Sequence, residues 1–147
     1  GKAVTSAEGK AGVFSATVVC RKVQPLLDVP HGEMADPLDS LDVIMGALNV
    51  VRLLLTRATQ PDATAHRALP ESLAAQLQQH SLEPLDKWIR TRMDALWSEI
   101  LSAEACSPLP ESLPSMRVSF THLHLATDVV SRAIELCKEY RGHGWSD

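Results

Sequence analysis

No stretch of this chain is both long and apolar enough to cross a bilayer. The longest apolar run, Val43 to Leu55, is about 13 residues and is broken by Asn49 and Arg52, whereas a spanning helix needs roughly 20. Cysteine is sparse too. Cys20, Cys106 and Cys137 are an odd number, far apart, with no Cys-x-x-Cys spacing, which argues against a disulfide framework and for reduced thiols in cytosol or nucleus. Positive charge is not in excess: the formal net charge is −4, so no field gathers phosphates and a nucleic-acid partner is not expected. Aromatic residues make up only 4% of the 147 residues, which makes the three tryptophans worth placing individually.

The catalytic and cofactor motifs are missing as well. There is no Gly-x-x-x-x-Gly-Lys-Ser/Thr, Gly-x-Gly-x-x-Gly, His-Glu-x-x-His, Gly-x-Ser-x-Gly or EF-hand loop. Gly1-Lys2 and Gly9-Lys10 lack the strand and the glycine spacing of a phosphate loop. His31-x-Glu33 has the first half of a zinc-deaminase signature, but the Pro-Cys-x-x-Cys half is absent. His122 and His124 could chelate an ion from a strand; on a helix they diverge by about 160° and cannot share one. On that wheel His122 falls on the apolar side, as a core histidine, and His124 faces solvent. Cys137 lies on an apolar face with no base nearby, as a buried, inert thiol. The sequence therefore points to no cofactor, no metal and no catalytic group.

What the chain does contain is apolar residues at helical spacing. They amount to 45% of the composition, enough for one packed domain. The pattern predicts an all-α fold: a bundle of four to five helices, or a short α-α superhelix, around a central apolar helix. Residues 1–35 form an N-terminal segment with a loose, glycine-containing start. A helix over 13–24 follows, with Val13, Ala16, Val19, Cys20 and Val23 on one face and Pro25 and Pro30 in a connector. Residues 36–147 form the helical core.

In that core Asp36 suits an N-cap and Pro37 the first helical position, while Asp39 and Asp42 sit at the positive end of the helix dipole. The helix running on to about residue 59 is apolar nearly all round, which assigns it the central place. Pro70 starts a short helix to about His80, and Pro84 starts another to about Ser102. In the latter Leu85, Ile89, Met93, Leu96 and Ile100 centre the apolar arc, with Trp88 and Trp97 at its opposite edges and Trp97 assigned to the core. After a stiff linker with Pro108, Pro110 and Pro114, a last helix spans about 115–141 and stops at Gly142 and Gly144. Leu69-Pro-Glu-Ser-Leu73 recurs as Leu109-Pro-Glu-Ser-Leu113, which reads as two similar helix starts or as a degenerate 40-residue helical repeat.

Functionally, these features point to a non-catalytic protein–protein interaction domain, a scaffold or adaptor, within a larger intracellular protein whose first residue here is Gly1. The expected partner is another protein presenting a helix or linear peptide, with nucleic acid and membrane excluded. The candidate contacts are Trp88, with Arg92 one turn later and able to stack on it, Arg90 in a small basic patch with Arg92 and Lys87, and Trp145 in the glycine-flanked tail. The alternative is an oligomerisation segment, in which the surplus apolar surface meets a copy of itself or a sister subunit.

Overall fold

The computed structural model describes residues 17–28, 41–58 (the side chain of residue 58 excepted) and 69–142. Nine-tenths of these residues are helical and none is in a strand, so the chain is an all-α bundle. Helix α1 covers 17–28 and α2 Leu41–Ala58. Helix α3, Glu71–Gln76, passes through a π-helical turn, Leu77–Leu82, into α4, Glu83–Glu104. Helix α5, Leu113–Gly142, is the longest at 30 residues. The Asp36 cap and Pro37 lie outside the described residues.

Helix α2 forms because its apolar residues recur at alternating steps of three and four. Leu41, Ile44, Leu48, Val51 and Leu55 make a single stripe of heptad spacing, and all five are buried. Asp42 in the first turn and Arg57 in the last complement the helix dipole. Helix α5 carries a matching stripe in Leu123, Ala126, Val130, Ala133, Cys137 and Tyr140. Helices α2 and α5 pack against each other, and the α5 stripe includes the small residues Ala126 and Ala133. Each fully buried leucine or isoleucine contributes roughly 1.5–3 kcal/mol relative to an exposed one.

The central place belongs to α5, which packs against α2, α3, the π turn and α4. Helix α2 lies to one side of it, because only one stripe of α2 is covered: Val43 and Leu53, on other faces, are 52% and 59% exposed. Leu41, Asp42 and Met45 border the same small cavity as His122 and Leu125. Helix α2 thus begins beside α5 about a third of the way along it. Helix α4 runs antiparallel to α5. Arg90 meets Ser131 and Glu104 meets Arg117, so fourteen residues along α4 match fourteen back along α5 with no slip in register. Cys20 and Leu27 of α1 are fully buried in the same core.

Three helix boundaries differ from the pattern read in the sequence. Pro25 does not end α1, which continues to residue 28: its ring is on the exposed side, where water can serve the carbonyl it leaves unbonded, and Leu27 anchors the last turn. Pro84 does not start a new helix, because α3 and α4 are one continuous rod. A proline inside a helix clashes with the carbonyl four residues back, and the wider π turn just before it relieves that contact. Pro114 lies within the first turn of α5, which begins at Leu113.

The rod's upper end is tied to the end of α5. The Leu69 N–H donates to Tyr140 Oη at 3.3 Å, and the Tyr140 hydroxyl donates to the Leu69 carbonyl. Both residues are essentially inaccessible to solvent. The next residue, Arg141, donates from Nη1 to Gln78 Oε1 on the π turn at 2.9 Å. The two Leu-Pro-Glu-Ser-Leu segments have related but unequal roles. Leu73 and Leu113 are both buried as helix anchors, whereas Leu69 is buried and Leu109 is 57% exposed.

Candidate interaction surface

Two helices packed along one seam leave an open edge on either side of it, and side chains at the rim determine what that edge offers. On α4 the buried centre is Leu85, Ile89, Leu96, Ile100 and Ala103. Trp97 follows Leu96 by about 100° and comes out on the rim facing α5. It is 47% exposed, so the core position expected for it is not the one it takes. Its ring instead meets Phe120 of α5, with centroids 5.3 Å apart and planes tilted by 41°. That tilted geometry suits the ring quadrupoles, and the half-buried Phe120 supports the exposed Trp97 ring.

Met93, Asp94, Trp97, Phe120 and His124 line a shallow groove of about 400 Å³ along this edge. Leu101, one turn beyond Trp97, is 49% exposed and lengthens the apolar strip. The strip is bracketed by ion pairs. Arg117 Nη2 approaches Glu104 Oε2 at 2.6 Å below it, and Arg90 Nε reaches both Asp86 oxygens at 3.0 and 3.1 Å above it. One turn along α5 from His124, Thr127 is buried and donates to the His124 carbonyl at 2.6 Å. The groove therefore has an apolar floor, fixed aromatic walls and a polar rim.

The residues singled out from sequence fall in different places. Trp88 is half-buried and packed against the core. Arg90 sits on the Trp97 side of α4, committed to Asp86 and, at 3.4 Å, to the Ser131 hydroxyl. Arg92 lies on the other side, with Nη1 at 3.9 Å from Glu99 and its side chain only 24% exposed. Two residues apart on a helix is about 160° of rotation, so Arg90 and Arg92 do not form one basic patch. Trp145 lies outside the described residues. The signal for the Trp97 groove was present in the sequence in part: Trp97 and Leu101 follow Met93 by steps of four along α4, drifting off the apolar arc that Met93 was assigned to, and Met93 itself is half-buried.

His122 is exposed, not a core histidine, because it lies on the outer flank of α5 beside the start of α2 rather than under it. Cys20 and Cys137 are fully buried, whereas Cys106 is exposed with its thiol directed at the Ser102 carbonyl. Burial pushes the Cys20 thiol up to about 11. Burial first, and then the neighbouring Cys20, push Cys137 up to about 12, against a smaller opposing effect of Arg141. Both are protonated at neutral pH and are poor nucleophiles. Among the described residues, no three His, Cys, Asp or Glu side chains converge as metal ligands, and no helix is long and apolar enough to cross a membrane.

Elsewhere, Val50, Leu53, Leu54 and Arg57 border a second depression of about 280 Å³ on the outer side of α2. No protein-family model, no curated protein and no solved structure matches this chain.

Proposed function

We propose that this chain is a non-catalytic helical interaction domain of an intracellular protein, and that it receives an apolar helix or linear peptide in the groove between α4 and α5. The observation that carries the reading is the Trp97–Phe120 pair: an exposed tryptophan ring held against a half-buried phenylalanine, in a groove with the half-buried Met93 beside them. Tryptophan in such a position is a frequent energetic anchor of interfaces, and methionine adapts its shape to a partner. The partner that fits has bulky apolar residues at one-turn spacing, matching Met93, Trp97 and Leu101 along α4.

The test is affinity capture from a cell lysate using the native domain, a Trp97→Ala/Phe120→Ser variant and a Lys138→Glu variant as baits. Trp97 is exposed and Phe120 half-buried, so the first variant is used as bait once its circular dichroism matches the native protein. Proteins retained by the native and Lys138 baits and lost by the groove variant support the reading. An identical set on all three baits would refute the site, and baits that retain nothing would count against the interaction reading as a whole.

A further inference from the structure

Helix α2 carries two heptad stripes, and the bundle covers only one. Opposite the buried stripe, Val43, Gly46, Val50, Leu53 and Arg57 repeat the same alternation of three and four residues. Val43, Gly46, Leu53 and Arg57 are exposed and Val50 is half-buried. A soluble surface helix normally turns charge outward at such positions; this one places three branched apolar residues there.

The outer stripe is complementary to itself when reversed. Turned end for end about Val50, it sets Leu53 of one copy over Gly46 of the other, and Val43 beside Arg57. A side-chain carbon added at Gly46 would meet nothing within 4 Å, so the glycine leaves an open notch, and Leu53 beside the 280 Å³ depression is a projecting knob. Charge obeys the same symmetry. The acid of the first turn is Asp42 and the base of the last turn is Arg57, so reversal brings opposite charges together at both ends. A parallel alignment would place Asp42 on Asp42 and Arg57 on Arg57.

We infer that a second copy of this chain packs on the outer face of α2, with the two α2 helices antiparallel about a two-fold axis at Val50. The contact is isologous: each residue pairing is made twice, once from each side. The stripe from Val43 to Arg57 spans about 21 Å of helix, so the interface is below the roughly 1,200–2,000 Å² of a standard stable complex and the pairing is concentration-dependent. This surface is separate from the α4–α5 groove, and the inference does not rest on the groove having a partner. A pair would present two grooves, which adds avidity for a partner with two binding segments.

Sedimentation equilibrium of the whole chain, from micromolar to near-millimolar concentration, is the first measurement. The expected mass climbs from 16.0 kDa toward twice that value. Leu53→Glu removes the knob at an exposed position, and the mass stays monomeric while helicity is unchanged. Asp42→Arg or Arg57→Asp alone weakens pairing by about tenfold, the effect of replacing an attractive charge pair by a repulsive one. The double exchange Asp42→Arg/Arg57→Asp restores it, because the antiparallel match is regained with the signs reversed.

Cysteine cross-linking in a Cys106→Ser background fixes the direction. Val50→Cys should link to its own copy, and Val43→Cys should link to Arg57→Cys but not to itself. A monomer at every concentration overturns the inference. So does failure of the double exchange to restore pairing, and so does Val43→Cys linking to itself.

Discussion

Replacing Tyr140 by phenylalanine removes one oxygen atom and, with it, both hydrogen bonds that hold the head of the α3–α4 rod to the end of α5. The ring stays, so its packing in the core is unchanged. What is lost is the partner of the Leu69 N–H and of the Leu69 carbonyl, in a residue with 0% exposure. A buried backbone group left without a partner costs about 1–3 kcal/mol, so two together give roughly 2–4 kcal/mol once some backbone relaxation toward water is allowed. For a chain of this size that corresponds to a fall in Tm of about 6–12 °C. Urea unfolding followed by circular dichroism measures the loss, with an unchanged denaturant slope showing that the unfolded reference is the same. Amide exchange supplies an independent check, because the Leu69 N–H should lose its protection while those of Leu85 and Ile89 keep theirs relative to global unfolding. A stability change below about 0.5 kcal/mol, within the range of ordinary surface substitutions, would refute the clamp.

Four further outcomes follow from the same physics. Ser81 is fully buried and its hydroxyl has no hydrogen-bond partner, so Ser81→Ala should stabilise the fold by about 1 kcal/mol in the same urea assay. Cys20 and Cys137 keep their protons in the folded state well above the ordinary 9.0, so their contribution to stability is complete below pH 9 and is lost as pH rises from about 9 to about 12; alanine at both positions should remove that part of the alkaline decline. Only Cys106 should react with a thiol reagent in the native state, with the other two appearing on unfolding. Arg117→Ala breaks an ion pair whose members are 54% and 39% exposed, and should change stability by less than about 1 kcal/mol despite its 2.6 Å contact.

The helical class was legible because the chain's apolar residues follow helical periods, and on α4 Leu85, Ile89, Leu96 and Ile100, placed at the centre of the apolar arc by that period, are buried. The centre of the bundle was misassigned for a definable reason. Apolar residues all round α2 were read as neighbours all round, whereas Val43 and Leu53 are exposed and α5 holds the middle with alanines at its contact positions. Hydropathy counts surface as though all of it were used inside one copy of the chain. Trp97 was misplaced by a similar route: its size suggested the core, and its angle on α4 put it on the rim. The Arg90–Arg92 patch failed on rotation alone. Proline was read as a helix start at Pro84 because a π turn, which lets the rod continue, has no simple composition signal.

That turn does have a signal in spacing. Leu73, Leu77, Ser81, Leu85 and Ile89 are all buried and succeed one another by four, with Ala74, Gln78 and Leu82 buried beside them. In an ordinary helix each such step drifts by about 40°, and the five would wind through about 160° and leave the core. The wide turn absorbs the drift and keeps all five on one side. The number of residues from Leu77 to Leu82 is therefore as firm a constraint as any side-chain volume. A chain one residue shorter there would have to swing α3, Leu69 and the bond to Tyr140 about 100° away from α5, or else turn the leucines of α4 out of the core.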